Sequence, residues 1–157
     1  MANASAHSTL QDELQLIVCL IDLMKQEQQF LVAADTDALE TLTPLKTQLV
    51  EQLAQLASRR HASLAADGFA ASEVGMESWL NRMDNPGVRA AWQQLLGKTA
   101  DAKELNRVNG MLINKQLSNN HALINAMRAP ANAADTSFYG PSGQTTSATG
   151  KRGLVVG

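Results

Sequence analysis

Apolar residues recur every three or four positions through the first part of the chain, and this spacing constrains the fold more than any other feature. It predicts α-helices, because an α-helix has about 3.6 residues per turn and such residues share one face. We expect the first helix to begin near Ser8 or Thr9, with a capping box between Ser8 and Gln11. Two adjoining rows make its apolar face wide, so this helix should pack against at least two other elements. The rows are Leu10, Leu14, Ile17, Ile21, Met24 and Leu31, and Leu16, Leu20, Leu23 and Phe30.

A second leucine row follows a short break at residues 34–36. We expect Asp37 to cap this second helix with Glu40 as its reciprocal partner. Pro44 should bend the helix or mark a later start, because proline lacks an amide donor. The short break predicts that helices one and two are antiparallel. The row consists of Leu39, Leu42, Leu45, Leu49, Leu53 and Leu56, continuing weakly to Leu64.

Two more helices are predicted in the second half of the chain. A short helix over residues 76–83 follows a connector at residues 65–75. A long helix should begin at the Asn85-Pro86 pair, because asparagine is a favoured N-cap and proline suits the first helical position. It should end at about residue 129, before Pro130.

The predicted fold is therefore all-α, an elongated antiparallel bundle or hairpin of three long helices and one short helix. Leucine and alanine supply most of the apolar content and aromatic residues only 4%, a bias that favours helices over strands. We expect residues 1–129 to form the helical domain. Residues 130–157 are rich in Ser, Thr, Gly and Ala and predict a flexible tail.

Catalysis, metal binding and nucleic-acid binding find little support in the sequence. The net charge is −2, and the longest basic runs are Arg59-Arg60 and Lys151-Arg152, for which solvated surface is the favoured interpretation. The three histidines lie far apart, without a spacing that would hold a metal. Neither a HExxH pattern nor a phosphate-binding glycine loop is present. We expect no enzyme activity, no cofactor and no metal.

The single cysteine and the N-terminus bear on location. Cys19 lies in the apolar run of residues 16–21, so we expect it to be a small buried residue. That run is far shorter than the roughly 20 residues that span a bilayer. Residues 1–7 lack the positive region of a signal peptide. These features predict a cytoplasmic protein without stable membrane insertion.

The centre of the long helix is polar. Asn106 and Asn109 lie three residues apart and therefore share a face, in line with the apolar row. Buried amides fix the register of packed helices, because slippage leaves them unsatisfied. We favour this packing role over direct contact with a partner. Gly97 and Gly110 are expected to mark bends or close packing.

The apolar rows exceed what three helices can cover, which predicts a surface for a partner polypeptide. Flexible methionines suit a surface that receives another helix, although ordinary core filling remains the alternative for each of them. A self-associating structural bundle or adaptor, such as a homodimer, is the main alternative function. The Phe138-Tyr139 pair in the tail is either a docking motif or a clasp onto the helices.

The order of several short motifs resembles the FlgN family, the export chaperones for hook–filament junction proteins of the bacterial flagellum. The resemblance extends from about Leu10 to Gln144. The motifs are Glu27, Asp35/Asp37-Ala38-Leu39, Lys46-Thr47-Gln48-Leu49, Asn106-x-x-Asn109-Gly110-x-Leu112-Ile113 and Tyr139-Gly140-Pro141-Ser142-Gly143-Gln144.

This resemblance implies a cytoplasmic chaperone of the flagellar type III export system. Such a chaperone binds the C-terminal helical segments of hook-associated proteins, its clients, keeps them unassembled and delivers them to the export gate. It implies no cofactor. Tyr139 would dock on the cytoplasmic domain of the gate. The residues that would bind the client are Ile113, Leu117, Leu123, Ile124 and Met127.

Overall fold

The computed structural model describes residues 5–139, with side chains as far as residue 128. The described residues form four α-helices and no strand, which confirms the all-α class. The chain divides into two units, residues 1–113 and residues 114–157. The helices are α1 (Leu10–Ala33), α2 (Thr36–Ala66), α3 (Glu73–Met83) and α4 (Pro86–Tyr139).

Helix α1 begins at Leu10, close to the predicted start, but without the predicted capping box. Thr9 occupies the N-cap position and its side chain caps no backbone amide. Its backbone is already in the helical region, at φ −90° and ψ −15°, whereas a capping residue usually has extended angles. The Thr9 hydroxyl instead donates to the Glu13 carboxylate at 2.9 Å. The expectation for Ser8 and Gln11 was therefore wrong.

The turn between α1 and α2 lies at the predicted break, but its cap differs from the prediction. Ala34 has a positive φ of 55°, which ends α1. Asp35, and not Asp37, caps α2 by accepting a hydrogen bond from the amide of Ala38 at 3.1 Å. Pro44 lies inside α2, which is one helix from Thr36 onward, so a late start at the proline is excluded.

Helix α3 begins three residues before the position predicted for it. Ser72 caps it by accepting a hydrogen bond from the amide of Gly75 at 3.3 Å, so Gly75 belongs to the helix and not to the connector. A Cβ atom on residue 75 would collide with the backbone carbonyl of Ala70. Only glycine therefore fits at this position.

Helix α4 begins as predicted and ends later than predicted. The Asn85 side chain accepts hydrogen bonds from the amides of Gly87 and Val88 at 3.1 and 3.2 Å. The helix continues through Pro130 to Tyr139, which corrects the expected end at residue 129. A proline inside a helix costs about 3 kcal/mol, yet the alanines on both sides of Pro130 are strong helix formers. Residues 140–157 of the predicted tail lie outside the described residues.

The core of the first unit is built around α1. Its main apolar row is buried, and the part of the row from Leu10 to Met24 packs with residues from all three other helices, which confirms that α1 contacts more than one element. The partners of α1 in this core are Leu64 of α2, Met76, Trp79 and Leu80 of α3, and Trp92, Leu95 and Ala102 of α4.

Several apolar side chains of the first unit stay outside this core. Leu45 and Val50 on α2 are 51% and 48% exposed. Val18 on α1 is 42% exposed, and its neighbour Cys19 is also exposed, which corrects the expectation of a buried cysteine. Within residues 5–139, no helix combines the length and the apolar character that crossing a bilayer requires.

Candidate functional site

A polar cluster joins α1, α2 and α4 through Glu27, a residue that is only 6% exposed. Lys46 Nζ donates to the two carboxylate oxygens of Glu27 at 3.0 and 3.2 Å and to Asn106 Oδ1 at 3.0 Å. Asn109 Nδ2 donates to Glu27 Oε1 at 2.8 Å and to the backbone oxygen of Met24 at 2.9 Å. Four side chains from three helices thus share one set of hydrogen bonds.

The two asparagines of this cluster differ in burial. Asn106 is exposed, whereas Asn109 is 1% exposed and its Oδ1 atom has no hydrogen-bond partner within the described residues. Sliding α4 along α1 would remove both bonds of the Asn109 amide and leave more buried polar atoms unpaired. A Cβ atom on Gly110 would meet no atom within 4 Å, and the same holds for Gly97, so both positions have room for a side chain.

A second polar network lies at the start of α1, and the sequence reasoning missed it. Arg60 of α2 donates from Nε and Nη2 to the Glu13 carboxylate, both at 3.1 Å. The two side chains are 6% and 3% exposed, so the expectation that Arg60 belongs to a solvated surface was wrong. The Arg60 guanidinium also lies 4.6 Å from the centre of the Trp92 ring, a cation–π distance.

A signal for both networks was present in the sequence. Glu13 and Glu27 interrupt the inward-facing row of α1, with Glu13 four residues before the buried Ile17 and Glu27 four residues before the buried Leu31. They lie 14 residues apart, or two heptads. A carboxylate in such a row needs a basic partner from another helix, because an unpaired buried charge is costly.

The five residues implied as the client-binding surface are all exposed large hydrophobic side chains on α4. At about 100° per residue, Leu117 and Ile124 fall within about 20° of each other around the helix, and Leu123 and Met127 lie on the adjoining side. We call these five residues the α4 stripe. Their exposed fractions are 41% for Ile113, 53% for Leu117, 61% for Leu123, 45% for Ile124 and 72% for Met127.

Positive charge accompanies the α4 stripe. Between residues 105 and 128 the charged residues are Arg107, Lys115 and Arg128, with no acidic residue among them. Glu104 forms an exposed ion pair with Arg107 at 2.7 Å. The hydrogen bond from Arg107 lowers the pKa of the Glu104 carboxyl, and Glu104 in turn raises the pKa of Arg107.

Two other kinds of site are relevant, a metal-binding site and the expected gate-docking residue Tyr139. No group of three or more His, Cys, Asp or Glu side chains in that part of the chain could hold a metal ion. Tyr139 is the last residue of α4, and its side chain lies outside the part that the structure describes.

Comparisons with known proteins gave one finding. The sequence model of the family described as "FlgN protein" matches residues 1–147 of this chain. Curated proteins gave no match, and neither did solved structures.

Proposed function

The chain belongs to the FlgN family of flagellar export chaperones, and on that premise we propose that it holds the C-terminal helical segments of hook-associated proteins. It keeps these segments unassembled in the cytoplasm and delivers them to the export gate. The family is one of chaperones, which agrees with a role in binding and not in catalysis.

The observation that carries the proposal is the exposure of the α4 stripe. From residue 117 to residue 127 the stripe extends about 15 Å, at about 1.5 Å per residue. An amphipathic client helix binds such a surface through apolar residues at positions i, i+3, i+4 and i+7. A row of large apolar side chains exposed to water is unfavourable for a chaperone that never meets a partner.

Two further parts of the proposal concern the body of the chaperone and the gate. Helices α1 and α2 are antiparallel in this proposal, and the order of their ion pairs supports it, since Glu27 pairs with Lys46 and Glu13 with Arg60.

Tyr139 docks on the cytoplasmic domain of the gate. The polar cluster around Asn109, with Asn106 and Gly110 beside it, sets the register of α4 on α1.

Co-elution with the C-terminal segment of a hook-associated protein tests the client site. Leu117→Asp should abolish a stoichiometric complex, because it places a charge in the middle of the apolar contact. Leu45→Asp is the matched control, since Leu45 is 51% exposed on α2 and Leu117 is 53% exposed. Equal loss in both variants, or no complex with the unmodified chain, would overturn the proposal.

Self-association is the second candidate function, and the same exposed stripe supports it. Two chains that paired through their α4 stripes would cover these side chains and leave no client site. Sedimentation over a hundredfold range of concentration distinguishes client binding from self-association. Only self-association predicts that the mass of the isolated chain rises with concentration, and that this rise is lost in Leu117→Asp.

A further inference from the structure

A groove in the first unit lies between α1, α2 and α4. One part of it is a cavity of about 260 Å³ beside Lys46 and Lys103. A second cavity of about 260 Å³ lies beside Arg60 and Trp92. Ile17 and Thr99 line both cavities, so the two cavities are neighbours, and we call them together the groove. The other apolar residues that line the first cavity are Leu20, Met24, Val50 and Ala102.

The length of this groove suits a short helix. Lys46 and Arg60, at its two ends, are 14 residues apart on α2, which corresponds to about 21 Å. An incoming helix of about four turns would therefore fill it. With α1, α2 and α4 on its other sides, such a helix would complete a four-helix arrangement and cover apolar residues such as Val50.

The charges along the groove indicate what kind of helix fits. No acidic residue lines the cavity beside Lys46 and Lys103, and Lys103 is exposed without an ion pair among the described residues. At the other end, Arg60 Nη1 is buried and has no hydrogen-bond partner in the described part of the chain. The acidic residues there are Glu13, which already binds Arg60, and the exposed Glu73.

We infer that this groove is a second client-binding site, which receives an amphipathic helix whose acidic side chains face Lys103. The inference rests on the proposed function, because it specifies the chemistry of the client helix and a place where it packs. Apolar side chains of that helix enter the cavity beside Val50, and a carboxylate at its edge meets Lys103. A second copy of this chain fits poorly, since its exposed α4 segment carries only positive charges between residues 105 and 128.

Two designed peptides test this site on the full-length chain. Each has about 18 residues with leucine at helical spacing, and the flanking positions are glutamate in one peptide and lysine in the other. Fluorescence anisotropy should show roughly tenfold tighter binding of the acidic peptide at about 50 mM salt. The difference should shrink at about 300 mM salt, because exposed charges are then screened.

Substitutions locate the binding. Lys103→Glu should weaken binding of the acidic peptide roughly three- to tenfold, and Val50→Asp about tenfold. Lys25→Glu is the control for net charge, because Lys25 is exposed on α1 and does not line the groove. Val18→Asp is the control for placing a charge on an exposed valine, because Val18 is 42% exposed and Val50 is 48% exposed. Both controls should stay within about twofold of the unmodified chain.

The outcomes separate this inference from the proposed function. Should Lys103→Glu and Val50→Asp behave like their controls while Leu117→Asp abolishes binding, the stripe binds the client and the groove inference is wrong. Absence of binding by the unmodified chain, to either peptide and to a hook-associated segment, would reject the proposed function itself. Lys103→Ala is a milder change at an exposed position and should give part of the loss of affinity for the acidic peptide. It keeps the inference testable if Val50→Asp fails to fold.

Discussion

Removing one partner of the buried Glu13–Arg60 pair should destabilise the protein strongly. Arg60→Met keeps most of the side-chain volume but removes two hydrogen bonds of 3.1 Å. Among the described residues, the Glu13 carboxylate, 3% exposed, then keeps only the hydrogen bond from the Thr9 hydroxyl. Breaking one side of a buried ion pair costs about 3–5 kcal/mol, because the remaining charge is desolvated without compensation. Loss of the contact with Trp92 adds to this cost.

The double variant distinguishes the pair from general packing. Glu13→Leu alone should also cost about 3 kcal/mol, since it leaves Arg60 unpaired. In Glu13→Leu/Arg60→Met no buried charge remains at this site, and the free energy of unfolding should return to within about 1 kcal/mol of the unmodified chain. Urea unfolding followed by circular dichroism measures all four proteins.

The exposed Glu104–Arg107 pair supplies the matched control. Glu104→Gln should leave the urea midpoint unchanged, because surface ion pairs contribute little. If the free energy of unfolding of Arg60→Met lies within about 1 kcal/mol of that of the unmodified chain, the reasoning is refuted. Additive effects of the two substitutions would refute it as well, because a direct interaction requires coupling.

Three more predictions follow from single positions. Gly75→Ala should lower the urea midpoint because its Cβ atom would clash with the Ala70 carbonyl. Gly97→Ala has free space around it and should stabilise the protein by about 1 kcal/mol. A loss of stability in Gly97→Ala would contradict the open geometry at this position. Asn109→Ala should cost about 1–3 kcal/mol in urea unfolding, and Asn106→Ala much less, because only Asn109 is buried; equal costs would argue against the register role. Tyr139→Ala should leave urea unfolding and client co-elution unchanged while secretion of the client falls; loss of co-elution would place the tyrosine in the client site instead.

Local sequence patterns were sufficient to predict the buried face of α1 and the start of α4. The apolar row of α1 and the start of α4 at Asn85 were predicted correctly, because each follows from a local pattern and a known capping preference. The caps of α1 and α2 were predicted at the wrong residues. Neighbouring candidates such as Asp35 and Asp37 have the same chemistry, and backbone angles that the sequence does not reveal decide between them.

The sequence carried a signal for buried carboxylates on α1, but it did not reveal which residues of other helices pair with them. The Glu27–Lys46–Asn109 cluster and the Glu13–Arg60 pair join different helices, and their partners depend on how those helices pack. Arg60 illustrates the difficulty, because an arginine beside another arginine is usually solvated. The exposure of the α4 stripe depends on packing in the same way, since an apolar row in a sequence is equally consistent with a core.

The passage of α4 through Pro130 has a mechanical consequence for delivery. A coil between Met127 and Tyr139 would let the tyrosine sample many directions, whereas a helix over these 12 residues holds its backbone about 18 Å away in one rotational phase. One inserted alanine near residue 133 would turn Tyr139 by about 100° about the helix axis, and eleven inserted residues would nearly restore the original direction. In the proposed delivery step, the backbone of Tyr139 would therefore meet the gate at a fixed distance and rotation from Met127, a residue proposed to bind the client.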